Sequence, residues 1–133
     1  MRGYPNESEY TYIKVDFYNN IASYLSELSS TSMRSLSHIV QYNIDNVGTE
    51  GGTPGIHPAF GSGQDGFLAS LESQGIQNET YFQALEFCQR TSREEGIDAA
   101  LASAGGQDAL LLPPDVAQAV QIAAQAGYPL ITV

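Results

Sequence analysis

Residue types that commonly carry out catalysis are sparse in this chain of 133 residues. His38 and His57 are its two histidines, Lys14 is its single lysine and Cys88 its single cysteine. A Ser–His–Asp hydrolase presents its nucleophile on a turn of the G-x-S-x-G type, and the sequence contains none. Neither histidine belongs to an H-x-x-x-H or H-E-x-x-H pair, so the spacing does not indicate a zinc site. We therefore expect no catalytic residues, no metal and no cofactor in this chain.

A glycine motif at residues 61–66, Gly-Ser-Gly-Gln-Asp-Gly, matches G-x-G-x-x-G, and Glu86 follows about 20 residues later, as in dinucleotide-binding folds. In those folds the motif comes directly after a buried strand. Here a loop rich in glycine and proline precedes it. The context predicts a turn leading into a helix rather than a nucleotide site.

Cys88 and His38 could react in principle, but the sequence predicts structural roles for both. Cys88 lies at helical spacing among Phe82, Leu85 and Phe87, which predicts a buried thiol that packs rather than reacts. His38 is offset from the apolar side of its predicted helix, which indicates a surface histidine.

Charge and composition limit the partners. Fifteen acidic residues against five basic ones give a formal net charge of −10, which argues against nucleic acid and against an anionic membrane. An apolar content of 42% is typical of a soluble globular protein. We find neither a run of about 20 apolar residues nor the apolar region of a signal peptide, so a cytoplasmic location is expected by default.

The elements that would position any site are mostly helical. We predict an irregular lead-in over residues 1–14 and a helical part over 15–104, interrupted by a glycine-rich loop at 48–66. Helix starts are predicted at Asp16, Ser35, Asp65 and Asn78, and the first helix runs to about Leu28. Helix ends are predicted at Gly48, Gly75 and Gly96, and a further short helix at 97–104.

The last quarter, residues 108–133, has the pattern of a parallel β-α-β unit. Ala109–Leu112 is a short apolar run that suits a buried strand, and Pro113-Pro114 ends it. Gly127 ends the following helix, and Leu130–Val133 suits the returning strand. One apolar stripe marks the helix between them: Val116, Ala119, Val120, Ala123 and Ala124. The predicted fold class is α/β, mainly helical, with this small C-terminal unit.

Several segments resemble the amidase signature hydrolases, particularly the fungal branch. GIDAAL at 96–101, DALLLPP at 108–114 and AGYPLITV at 126–133 are the most informative, and DFYNNIASYL, RSLSHIVQYN and GQD precede them in the family's order. The resemblance covers residues 10–133. It implies that residues 1–133 are one partial domain, part of an α/β/α sandwich in an enzyme that hydrolyses carboxylic amides.

The resemblance also implies a catalytic apparatus that this sequence does not contain. The family uses a Ser–cis-Ser–Lys triad on a Gly/Ser-rich segment, and Lys14 is in a different context. The chain therefore resembles a carboxyl-side fragment that is inactive alone. Two alternatives remain: a non-catalytic binding or structural protein on a degenerate amidase scaffold, and a hydrolase with an unrecognised site.

The resemblance further implies which residues would lie near an amide substrate in an intact enzyme. Gln64 and Asp65 fall on the family's GQ position, and Tyr128 lies in the AGYP segment. The alternative for Gln64 and Asp65 is a hydrogen bond that fixes the loop to the helix start. The alternative for Tyr128 is packing, in which case a buried phenol needs a partner. Unpaired strand edges at Leu110–Leu112 and Leu130–Val133 predict self-association.

Overall fold

The computed structural model describes residues 4–56, 58–59, 61–113 and 117–132, which are predominantly helical. The chain divides into two compact units: one comprises residues 10–78, and the other comprises residues 1–9 together with 79–133. We call them the central unit and the terminal unit and describe each by itself. The predicted lead-in contains regular structure, since a 3-10 turn at Pro5–Glu7 precedes a helix that begins at Glu9 rather than at Asp16.

Seven α-helices lie within the described residues: α1 (Glu9–Glu27), α2 (Leu36–Asp45), α3 (Val47–Glu50), α4 (Asp65–Ser73), α5 (Glu79–Gln89), α6 (Ala99–Ala102) and α7 (Ala117–Ala126). A π-helical segment, Arg90–Asp98, joins α5 to α6, and a 3-10 turn, Ser103–Gly105, follows α6.

The ends of the helices in the central unit follow from local capping. Ser35 has extended backbone angles, and its hydroxyl accepts a hydrogen bond from the His38 backbone N–H at 3.3 Å, so α2 begins where predicted. The Arg34 guanidinium donates to the carbonyls of Leu25 and Leu28 at the end of α1, at 3.1 and 3.2 Å. Gln74 and Gly75 have positive φ angles and end α4, as predicted for Gly75.

Packing in the central unit joins α1, α2 and α4. Leu36 and Val40 of α2 and Val15 and Leu25 of α1 are buried. The rings of Phe17 on α1 and Phe67 on α4 are stacked, with 5.4 Å between their centroids. These side chains recur at helical spacing, so each helix presents an apolar face. Removing these faces from water stabilises the central unit.

The terminal unit is built on one continuous helical rod, because the backbone stays helical from α5 through the π-helical segment into α6. The Thr91 hydroxyl donates to the Phe87 carbonyl at 2.7 Å, a back-bond that disturbs regular α-helical pairing at the point where the segment begins. The predicted helix end at Gly96 is wrong, since Gly96 lies inside the rod. Positive φ angles occur instead at Gly105 and Gly106.

Tyr81, Ala84 and Cys88 of α5 and Ala123 and Ala126 of α7 are buried in the terminal unit. The predicted burial of Cys88 is confirmed.

The predicted C-terminal β-α-β unit, and with it the α/β fold class, is wrong. The described residues contain no strand, and the parts of the predicted strands within them are irregular. Leu111 is 89% exposed and Ile131 is 82% exposed, whereas a parallel strand is covered on both faces. An apolar run becomes a strand only when a neighbouring strand pairs with its backbone, and no described residue provides that neighbour.

The helix predicted between the two expected strands does form, as α7. Gly127, with a φ of 71°, ends it. The stripe predicted for this helix is covered only in part, because Ala123 is buried whereas Val120 and Ala124 are exposed. Pro114 and Val116, predicted near its start, and Val133 of the predicted second strand lie outside the described residues.

Candidate functional site

The structure places the predicted substrate-proximal residues in different units. Gln64 and Asp65 belong to the central unit, and Tyr128 belongs to the terminal unit.

Gln64 lies at the start of α4 and is buried, with 7% of its surface exposed. Its side-chain N–H group donates to the Val40 carbonyl at 3.2 Å, and its side-chain oxygen accepts from the Asn43 amide at 3.1 Å. Both ends of the Gln64 amide are thus engaged with α2. Asp65, the first residue of α4, is exposed.

The glycine-rich loop folds back toward these contacts. A Cβ added to Gly52 would clash with the backbone carbonyl of Asn43, so only glycine allows this approach. The Gly55 N–H donates to the Gly61 carbonyl at 2.9 Å. Gly63 has a φ of 65°, and a Cβ there would lie 2.8 Å from the Pro54 nitrogen. Within residues 61–66, Gly63 thus serves the turn that precedes α4, and Gly66 already belongs to the helix.

Tyr128 is positioned by the end of α7. The Tyr128 N–H donates to the Ala123 carbonyl at 3.0 Å, and the Gly127 N–H donates to the Ala124 carbonyl at 3.3 Å. These two bonds, with Gly127 in the left-handed region, form a Schellman motif. The motif turns the chain sharply after α7 and carries the Tyr128 ring to the π-helical segment.

The Tyr128 hydroxyl donates a hydrogen bond to the Asp98 carboxylate. The Arg93 guanidinium lies over the Tyr128 ring, 5.8 Å from its centroid, and its Nε lies 3.9 Å from the Asp98 carboxylate. The hydrogen bond to Asp98, partial burial and the Asp98 charge together raise the pKa of Tyr128 above its ordinary value of 10.0, while Arg93 opposes the rise. The phenol is therefore neutral at physiological pH and acts as a hydrogen-bond donor.

A second polar contact lies beside the Tyr128 cluster. The buried Ser92 hydroxyl donates to the Gln125 side-chain oxygen at 2.6 Å, which joins the π-helical segment to α7. The sequence predictions did not include Ser92, Asp98, Arg93 or Gln125. Helix spacing gave no signal for them, because Tyr128 lies beyond the end of α7 and its contacts depend on the turn at Gly127.

The other candidate residues do not form a catalytic group in the described part of the chain. His38 is exposed, as predicted, and its Nδ1 accepts from the Arg34 N–H at 3.2 Å. Lys14 Nζ lies 5.8 Å from the centroid of the Tyr10 ring, and no described serine hydrogen-bonds to it. His57 lies outside the described residues. Across the described ranges, no three His, Cys, Asp or Glu side chains gather as a metal site would require.

A shallow groove of about 200 Å³ opens on the terminal unit. Its lining includes Glu7, Glu86, Phe87 and Arg90. The Arg90 side chain pairs with Glu95 and lies over the Phe87 ring. The volume is below the 300–1,000 Å³ typical of ligand pockets, so we assign no ligand to it.

No helix among the described residues combines the length and the apolar character needed to cross a membrane.

Comparison with known proteins finds a relative that aligns with nearly the whole chain. A protein of Schizosaccharomyces pombe named "Putative amidase" is 56% identical to this chain over 137 aligned residues. The alignment covers 98% of this chain but 24% of the relative, so the chain spans about a quarter of the relative's length. No protein-family model matches the chain, and no solved structure does. The relative supports the resemblance to amidases that the sequence motifs indicated.

Proposed function

We propose that this chain is a carboxyl-side segment of an amidase signature domain, and that it contributes scaffold rather than the reactive groups that cleave an amide. The alignment with the relative carries this proposal, because 56% identity over nearly the whole chain accounts for only 24% of the relative. The relative therefore has ample further sequence in which a nucleophile and its base can lie.

The contacts of the described side chains support a scaffold role without the reactive groups. An activated nucleophile needs a base within hydrogen-bond reach. In the described part of the chain, no serine hydroxyl approaches Lys14 in this way, and the His38 imidazole contacts a backbone N–H instead.

In an intact enzyme we place Gln64, Asp65 and Tyr128 near the amide substrate, as the resemblance implies. Gln64 would act indirectly there, since both ends of its amide are engaged with α2 and hold the glycine-rich loop. Asp65 is exposed and is the better placed of the two for direct contact. Tyr128 would offer its neutral phenol only by leaving Asp98.

An amide hydrolysis assay tests the proposal. The purified 133-residue chain, incubated with small aliphatic and aromatic amides, is expected to release no ammonia above the buffer rate. The full-length Schizosaccharomyces pombe relative, assayed under identical conditions, is expected to hydrolyse at least one of them. Turnover by the isolated chain would overturn the scaffold role, and an inactive relative would contradict the link to amidases.

A second candidate is a free-standing binding or structural protein that keeps the scaffold without the chemistry. It is favoured by the satisfied interior, because no buried side-chain nitrogen or oxygen in the described residues lacks a hydrogen-bond partner. A sharp melting transition that does not depend on protein concentration supports this candidate. A gradual transition supports a segment that needs the rest of a larger domain.

A further inference from the structure

Helix α7 and the turn after it are attached to the rest of the terminal unit by three polar side chains. Gln121 and Gln125 lie at i and i+4 on one face of α7, and Tyr128 follows the turn at Gly127. We call these three residues the polar seam. Their partners are spread over the unit: Gln121 donates to the Glu9 carboxylate at 2.6 Å, Gln125 accepts from Ser92 at 2.6 Å, and Tyr128 donates to Asp98.

The apolar attachment of the same helix is small. Among the α7 side chains whose burial the structure describes, those of Ala123 and Ala126 are buried, and each is a single methyl group. The larger side chains face outward, with Val120 55% exposed and Ile122 42% exposed. Because hydrophobic stabilisation scales with the apolar area removed from water, two methyl groups provide little of it. The polar seam therefore carries a large share of the attachment.

The apolar residues beyond Tyr128 add little to the attachment. Leu130 is 51% exposed and Ile131 is 82% exposed. By contrast, α5 buries the large ring of Tyr81 together with the smaller side chains of Ala84 and Cys88. Segments with few buried apolar contacts open at lower free energy than segments that form a core.

We propose that α7 and residues 127–132 form a releasable strap that opens as one piece while α5 and the π-helical segment stay folded. The hydrogen bonds of the polar seam hold this strap against the rest of the terminal unit. When the strap opens, hydrogen bonds to water replace three side-chain hydrogen bonds. The side chains of Ser92, Arg93 and Asp98 on the π-helical segment are then free to contact other groups. The device thus allows the last part of the chain to change its partner without unfolding the terminal unit.

Hydrogen exchange measured by mass spectrometry on the full chain tests the strap. Amides of α7 are expected to exchange faster than those of α5 in the unmodified protein. Tyr128→Phe removes a hydrogen bond to a charged acceptor and is expected to speed α7 exchange by about tenfold or more. Ser92→Ala removes the neighbouring bond and is expected to give about a twofold to tenfold increase. Neither substitution is expected to change α5 exchange.

Tyr4→Phe is the matched control, because it removes the same hydroxyl from a ring that is 71% exposed in the same unit. It is expected to leave exchange in both helices unchanged. Equal exchange of α5 and α7 in the unmodified protein would overturn the strap. So would a Tyr128→Phe variant in which both helices accelerate together, or one in which α7 exchange stays within twofold of the original.

Discussion

Tyr128 shows how the surroundings of one residue define its role. Its ring lies beneath the Arg93 guanidinium, and its hydroxyl donates to Asp98, 30 residues earlier in the chain. The sequence analysis predicted that a buried Tyr128 would need a partner, but the partner itself became visible only in the folded chain. Gln64 is similar, since its partner Asn43 lies 21 residues away.

Alkaline pH is expected to weaken the Tyr128 contact. Because the pKa of Tyr128 is raised in the folded state, the neutral phenol contributes stability that is fully present below pH 10 and is lost as pH rises through the folded-state pKa. The stability advantage of the unmodified protein over Tyr128→Phe should therefore shrink above pH 10, as measured by denaturant unfolding across that range.

Ultraviolet absorbance titration provides the direct check on this prediction. The difference between the titrations of the unmodified protein and Tyr128→Phe isolates one phenol among eight tyrosines. That phenol should ionise above pH 10, and Asp98→Asn should bring its pKa down because the hydrogen bond to a carboxylate and the negative charge of that carboxylate are both removed. A Tyr128 phenol that ionises at or below pH 10 would contradict the contact.

At the scale of elements, the π-helical segment is the feature that the sequence pattern missed. Gly96 was predicted to end a helix, because glycine is common just beyond helix ends. In the structure it lies within the segment, where an added Cβ would approach the Thr91 carbonyl oxygen to 2.8 Å. Long π-helical stretches are rare, so the segment that holds Ser92, Arg93 and Asp98 is a specific feature of this fold.

Two helical glycines are expected to respond oppositely to alanine. Gly66→Ala in α4 adds a Cβ into open space and should stabilise the protein by up to about 1 kcal/mol, since alanine favours helices. Gly96→Ala brings the same gain in helix propensity, but the added Cβ would force the Thr91 backbone to shift. Such overpacking costs about 1–3 kcal/mol. Gly96→Ala should therefore be the less stable variant in urea unfolding. A Gly96→Ala variant as stable as Gly66→Ala would contradict the close packing of the segment.

At the scale of the whole molecule, exposed apolar runs dominate the last quarter of the chain. Leu110, Leu111 and Leu112 are all at least 40% exposed, and Ile131 is 82% exposed. Contiguous exposed apolar residues mark association surfaces more often than isolated ones do. The prediction of self-association thus persists, although the basis is now exposed irregular chain rather than strand edges.

Sedimentation velocity over a concentration series tests that prediction. The unmodified chain is expected to associate as its concentration rises, and the double variant Leu111→Lys, Ile131→Lys is expected to remain monomeric, because each lysine places a charge on an apolar run. Ile56→Lys is the control, since Ile56 is an isolated residue with 57% exposure in the glycine-rich loop. A protein that stays monomeric at every concentration would contradict the prediction.

The sequence by itself determined the features that depend on neighbouring residues. Ser35 begins α2 because its hydroxyl reaches an N–H three residues away, and Gly127 ends α7 because glycine tolerates a positive φ. Burial of Cys88 followed from its place on an apolar helix face.

Tertiary structure alone decided the features that need distant partners. The runs at 109–112 and 130–133 have strand-like composition, but pairing requires an adjacent backbone, and the described residues provide none. Likewise the contacts of Gln64 with Asn43 and of Tyr128 with Asp98 join residues from separate elements. Local preference sets where a helix begins and ends, whereas a strand or a buried hydrogen bond exists only once the chain has brought its partner into place.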